Sequence, residues 1–165
     1  MDPTSDVRIE AVHIGDVGEL LTLQRAAYVT EGQLHDDVRL PALTQTLDDL
    51  RVELGRVTAW KAVDPHGRIV GSVRVAVEGP TAVVHRLAVA PDVQGAGIGT
   101  ALLLHVHATV PSTVTRIELY TGEHSVANIR LYERLGYVEH ARERLPTGYS
   151  LVHLHRAVDG VRTTG

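Results

Sequence analysis

The sequence predicts an α/β protein of the α+β type, with a mixed central sheet of about six to seven strands and about four flanking helices. Three observations carry this prediction. Segments 57–63, 68–77 and 82–89 are rich in valine and follow one another across two turn signals, Asp64-Pro65-His66-Gly67 and Glu78-Gly79-Pro80-Thr81. Such spacing marks consecutive antiparallel strands. Beyond residue 94 the order becomes helix, strand, helix, so at least one strand is reached by a crossover and pairs in parallel. A last pair of strands, 137–144 and 149–158, brackets the Pro146-Thr147-Gly148 turn.

The remaining elements fall between these. A first strand is expected over 7–12. Asp16 is expected to cap a helix over 17–29, its carboxylate accepting from amides that lack intrahelical partners. Residues 30–42 read as a polar connection and 44–54 as a second helix. A glycine-rich stretch opens a helix that Pro111 stops after Val110. Residues 116–120 form a strand, and 125–136 a helix closed by Gly136 in the left-handed conformation.

At 165 residues the chain is expected to be one domain over 1–165. Its net charge is −4 and its charges are scattered, which supports neither a nucleic-acid surface nor a polybasic membrane patch. There is no cysteine, hence no disulfide, no zinc thiolate and no cysteine nucleophile. Residues 1–7 lack the basic flank and apolar run of a signal peptide, and no apolar run reaches membrane-spanning length. A cytoplasmic location is the expectation, as monomer or homodimer.

Residues 89–100, VAPDVQGAGIGT, concentrate glycine where a helix begins. Amides at a helix N-terminus point outward without partners and carry the positive end of the helix dipole, so they suit a phosphate. A dinucleotide, a nucleoside triphosphate and coenzyme A could each supply one, and a plain packing turn needs none. Gly95, Gly97 and Gly99 miss the G-x-G-x-x-G spacing of a dinucleotide site, with Thr100 at the third glycine, and Pro91 to Gln94 separate them from the strand. No Gly-Lys-Ser/Thr follows, so a nucleoside-triphosphate loop fails.

The pattern that does match is V-x-P-x-x-Q-x-x-G-x-G, on Val89, Pro91, Gln94, Gly97 and Gly99. With NIRLYERLGY, in which Asn128 and Tyr132 share one helix face ahead of the Gly136-Tyr137 pair, it resembles the GNAT superfamily of N-acetyltransferases. The likeness covers about residues 58–138. It implies a GNAT-like domain with its cofactor-binding core at about 82–138 and an acceptor-side segment at about 28–45. Acetyl-coenzyme A is the implied cosubstrate, with no metal. Gln94, Gly95, Ala96, Gly97, Ile98, Gly99 and Thr100 would hold its pyrophosphate. Leu87, Ala88 and Val89 would line its pantetheine arm, the main chain of Leu87 and Val89 bonding to it, and Asn128 would bond the arm as well. Tyr132 would sit near the sulfur as the acid that protonates the leaving thiolate, a phenol of pKa about 10 being able to supply a proton. In this family the strand at 82–89 bulges and splays from its neighbour.

Plain strand alternation puts Val83, His85, Leu87 and Val89 on one face. If that face meets the acetyl group, His85 is the base for the attacking amine, directly or through water, since imidazole titrates near about 6.5. Otherwise it is a core histidine. His105 and His107 lie two apart on a helix and diverge, whereas His153 and His155 share a strand face but lack a third metal ligand. Glu123, His124 and the Asp36-Asp37 pair are candidates for the acceptor side. The sequence therefore predicts an acetyl-coenzyme A-dependent N-acetyltransferase that acts on a small-molecule or peptide amine by direct attack in a ternary complex. The competing expectation is an acyl-coenzyme A-binding sensor without turnover.

Overall fold

The computed structural model describes residues 6–158; residues 1–5 of the stretch read above for a signal peptide, and residues 159–165, lie outside them. The elements run β1 (Arg8–Ala11), α1 (Val17–Leu34), α2 (Pro41–Thr44), α3 (Leu47–Leu54), β2 (Thr58–Val63), β3 (Ile69–Glu78), β4 (Thr81–Val89), α4 (Ile98–Thr109), β5 (Arg116–Gly122), α5 (Val126–Arg134), β6 (Val138–Arg144) and β7 (Ser150–Ala157). One seven-stranded sheet takes the order β1-β2-β3-β4-β5-β7-β6. Every neighbouring pair is antiparallel except β4–β5, whose crossover is α4. This is the mixed sheet the hairpin and crossover signals predict.

Register assigns the two faces. Trp60, opposite Val73, meets His105 of α4 with ring centroids 4.3 Å apart, so that face carries α4. Lys61, opposite Ser72, and Arg74 point to the other face, towards Asp16, α1 and α3. Leu20 and Leu50 from that side and Leu102, Leu103 and Val106 from α4 are fully buried against the sheet. Each contributes roughly 1.5–3 kcal/mol by leaving water.

Three local expectations are corrected. Asp16 does not cap α1: the chain enters through a 3-10 turn, Ile14–Asp16, and the carboxylate turns back to accept from the His13 amide and Lys61 Nζ, both at 2.8 Å. Helix α1 continues to Leu34 instead of ending near residue 29, with Gly32 buried inside it against Asp37 and Leu43; the chain turns only at Asp36, with φ 48°. The expected helix over 44–54 is split by Gln45 (ψ 131°). Thr46 then caps α3, its hydroxyl accepting from the Asp49 amide at 3.1 Å while Asp49 accepts from the Thr46 amide at 3.2 Å.

Strand β4 departs most from regularity. Arg74 opposes His85 and Ser72 opposes Ala88, so β4 spends three residues where β3 spends two. Arg86 sits in this bulge with φ 54°. Pairing with β5 covers only Thr81 to Val83, after which the two central strands part. The bulge also overturns the single face expected for 83, 85, 87 and 89. His85 lies with Arg74 and Val83 on the α1 face, whereas Val89, opposite Gly71, is on the α4 face. An extra residue reverses side-chain alternation beyond it.

Candidate functional site

The opening between β4 and β5 forms a cavity of about 260 Å³. Tyr28 and Glu31 of α1, His85 and Arg86 of β4, Tyr120 and Gly122 of β5, and Asn128 and Tyr132 of α5 all line it. Leu145, Tyr149 and Leu151 close the far side from the β6–β7 turn. Sequence positions a hundred apart thus meet in one space, as the splay leaves no strand to fill it.

The backbone offers two sets of groups here. Ala90 N–H donates to the Val70 carbonyl at 2.8 Å, and the register alternates, so Ala88 and Ala90 bond β3 while Leu87 and Val89 turn their peptide groups to the open side. Tyr28 donates to the Leu87 carbonyl at 3.3 Å, and Gln94 Nε2 reaches the Val89 carbonyl at 3.4 Å. Past the strand, Gly95 (φ 79°) and Gly97 (φ 84°) hold left-handed conformations that other residues adopt at a cost. They turn the chain into α4. The amide of Ala101 donates to Gly97 at 3.0 Å; among the described residues none of the amides from Gly95 to Thr100 donates to a backbone carbonyl. Gly99 packs within ordinary contact of Leu131, Val89 and Leu87, holding α4 against β4 and α5. Six free amides at a helix N-terminus, beside an open strand edge, fit a pyrophosphate carrying an extended arm.

His85 is not alone. Its Nε2 lies 2.9 Å from Glu53 Oε1. Glu53 also accepts from Arg74 Nη1 at 3.1 Å and Gln45 Nε2 at 2.7 Å, while Arg74 Nη2 donates to Gln24 at 2.5 Å. Burial by itself would raise the Glu53 carboxyl, but the hydrogen bonds from His85 and Gln45 and the charge of Arg74 outweigh it and hold it at about 2. An ionised Glu53 accepts only, so His85 donates to it from Nε2 and Nδ1 is the ring nitrogen not used in this contact.

Tyr132 is 5% exposed, edge-on to Tyr137, and burial, then the neighbouring Tyr28 and Glu31, keep its hydroxyl protonated far above the usual range. Asn128 donates to Glu31 Oε1 at 3.3 Å, and Ser125 donates to Glu31 Oε2. His107 is a structural residue: Arg156 donates to its Nδ1 at 2.9 Å, so its Nε2 donates to the Tyr137 hydroxyl at 2.7 Å. Burial and Arg156 lower it to about 4.

The structure therefore brings His85, Asn128 and Tyr132 to one cavity and sets the 95–100 loop at the start of α4, by the strand edge of Leu87 and Val89. It does not bring Glu123, His124 or Asp36 there. Glu123 accepts from the Ser150 amide at 2.8 Å, and Asp37 accepts from Tyr149 at 2.9 Å, so these acids serve the scaffold. His153 and His155 share a face with His140, which stacks on His155 at 4.6 Å. Among the described residues no group of three or more His, Asp or Glu could hold a metal ion, and no helix is long and apolar enough to cross a membrane. Sequence reasoning missed Glu31, Glu53 and Arg86. Tyr28 and Glu31 stand at i and i+3 on α1, a signal that appears only once that helix is read through to Leu34.

The family model described as an acetyltransferase (GNAT) domain matches residues 56–139, just over half of the chain. The chain belongs to the GNAT family. The match runs from β2 to the start of β6 and so includes β4, the glycine loop and α5. A curated relative, UPF0157 protein YqkA of Bacillus subtilis (strain 168), is 26% identical over 137 residues, 83% of this chain and 39% of its own length. The chain thus spans about two fifths of the curated relative it matches. Solved GNAT-fold structures cover it nearly end to end. The ribosomal-protein-S18-alanine N-acetyltransferase from Escherichia coli has a TM-score of 0.78 at 19% identity, over 96% of this chain and 98% of that one. Spermidine N-acetyltransferase from Vibrio cholerae, in complex with coenzyme A and spermine, has a TM-score of 0.75 at 15% identity, over 94% and 97%. At these identities the likeness concerns the fold.

Proposed function

We propose that this GNAT protein is an acetyl-coenzyme A-dependent N-acetyltransferase acting on a primary amine by direct attack in a ternary complex. The observation that carries the reading is the splay of β4 from β5, which turns the peptide groups of Leu87 and Val89 away from β3, beside a loop of six amides without backbone acceptors, and opens a cavity lined by His85 and Tyr132. The relatives solved with coenzyme A add support through their shared fold.

In this reading acetyl-coenzyme A supplies the acetyl group as a thioester. The amides of Gly95, Ala96, Gly97, Ile98, Gly99 and Thr100 bind the pyrophosphate, with Gln94 beside them. Leu87 and Val89 pair with the pantetheine arm, Ala88 backs them against β3, and Asn128 bonds the arm's amide. His85 Nδ1 takes a proton from the amine, directly or through one water, as the nitrogen forms its bond to the carbonyl carbon. Glu53 fixes the imidazole for that task. As the carbon–sulfur bond breaks, the Tyr132 hydroxyl gives its proton to sulfur. Burial keeps that hydroxyl protonated, so the proton is in place when the thiolate forms. The absence of cysteine leaves no thiol for a covalent acetyl-enzyme.

The test is coenzyme A release from acetyl-coenzyme A across an amine library, with mass detection of the acetylated product. Tyr132→Phe should lower turnover about tenfold or more with little change in coenzyme A affinity by calorimetry. Tight cofactor binding with no turnover on any amine would replace the enzyme with a sensor.

A further inference from the structure

Arg86 has no role in the reading above, yet it occupies the most unusual backbone position of the site. A non-glycine residue at φ 54° is strained, and the strain falls on the bulge that turns β4 open. Its side chain lines the cavity. Among the described residues no carboxylate lies within ion-pair distance of it, and its Nε is buried without a hydrogen-bond partner.

The surrounding charges sharpen the point. Arg74 is neutralised by Glu53, which is also committed to His85. Glu31, across the cavity, is held by Ser125 and Asn128. Asp37 is occupied by Tyr149 and by the Arg39 amide. Arg86 is thus a positive charge with no ion-pair partner among the described residues, and its field reaches both Arg74 and Tyr28. A guanidinium with a buried, unpartnered Nε and no counter-ion is open to an anion, and its planar fork fits a carboxylate in two-pronged fashion.

We propose that the acceptor is a small amine that also bears a carboxylate, an amino-acid-sized zwitterion whose anionic end is bound by Arg86 while its amine faces His85. This rests on the acetyltransfer reading and narrows it to a substrate class. A cavity of about 260 Å³ is at or below the small end of ligand sites, roughly 300–1,000 Å³. It suits an amino acid better than a bulky polycation, which Arg86 would also repel.

The experiment compares α-amino acids with their amides and with the corresponding amines lacking the carboxyl group. Both kcat/KM and direct binding to the coenzyme A-loaded protein are measured. The acids should be preferred over the amides by about tenfold or more. Arg86→Gln should abolish that preference mainly through KM, and Arg86→Lys should restore part of it. Equal use of acid and amide, a preference for polyamines, or an Arg86→Gln loss shared equally by all acceptors would overturn the assignment. If no amine turns over but the acids bind in an Arg86-dependent way, the anion site stands and the acetyltransfer reading falls.

Discussion

At the scale of single residues, the site depends on charges that are already committed. Glu53 is the centre of one such group, taking hydrogen bonds from His85, Gln45 and Arg74. Its carboxyl sits at about 2 in the folded chain against an ordinary 4.5. The unfolded chain therefore binds a proton at Glu53 before the folded chain does, and stability rises with pH through that window. The contribution is complete above about 4.5 and is lost as pH falls towards 2. Glu53→Gln should cost about 2 kcal/mol at neutral pH, partial solvent access allowed for, and much less at pH about 3. Urea unfolding at the two pH values measures it; an equal loss at both would show that the charge is not what the network uses. Such residues are hard to read in a sequence, because an acid on α3 looks solvated until β3 and β4 deliver Arg74 and His85 to it. Asn128 and Tyr132 were legible because their spacing lies within one helix.

At the scale of elements, α1, β4 and β5 decide the shape of the cavity. Helix α1 runs five residues further than its sequence signals suggest, and the extra turn brings Glu31 to the site. Its C-terminal end is anchored by His35, which donates from Nδ1 to the Glu31 carbonyl at 2.9 Å and accepts from the His124 amide at 3.1 Å. The His35 ring lies so close to Gly122 that even a methyl group there would collide with it. Gly122→Ala should therefore destabilise the protein by about 1–3 kcal/mol, the usual cost of overpacking. It should also raise KM for the amine more than for acetyl-coenzyme A, since the loop of 95–100 is remote from His35. Thermal unfolding and paired KM measurements check both parts; unchanged stability would show that α1 can yield at this point. The β4 bulge was invisible in VVHRLAV, which alternates no differently from a regular strand.

At the scale of the whole molecule, the amides of 95–100 have no backbone acceptor until a ligand meets them. Coenzyme A at about a hundred times its Kd should stabilise the chain by about 2.7 kcal/mol, raising Tm by about 5–10 °C at about 2–4 °C per kcal/mol. Gly97→Val, which forces a branched side chain into φ 84°, should remove most of that gain. A full ligand shift in the variant would place the pyrophosphate elsewhere. The sequence by itself determined the class of sheet, the order of its elements, the glycine loop and the pair Asn128 and Tyr132. These follow from periodicity, turn residues and short spacings, which act within one or two elements. Only the tertiary structure decided which charges remain free. Whether Asp37, Glu31 or Arg86 can meet a ligand depends on partners far along the chain: Tyr149 claims the first, Ser125 and Asn128 hold the second, and no described carboxylate reaches the third. A charge is available or committed only once the fold has assigned its neighbours, and no local pattern encodes that.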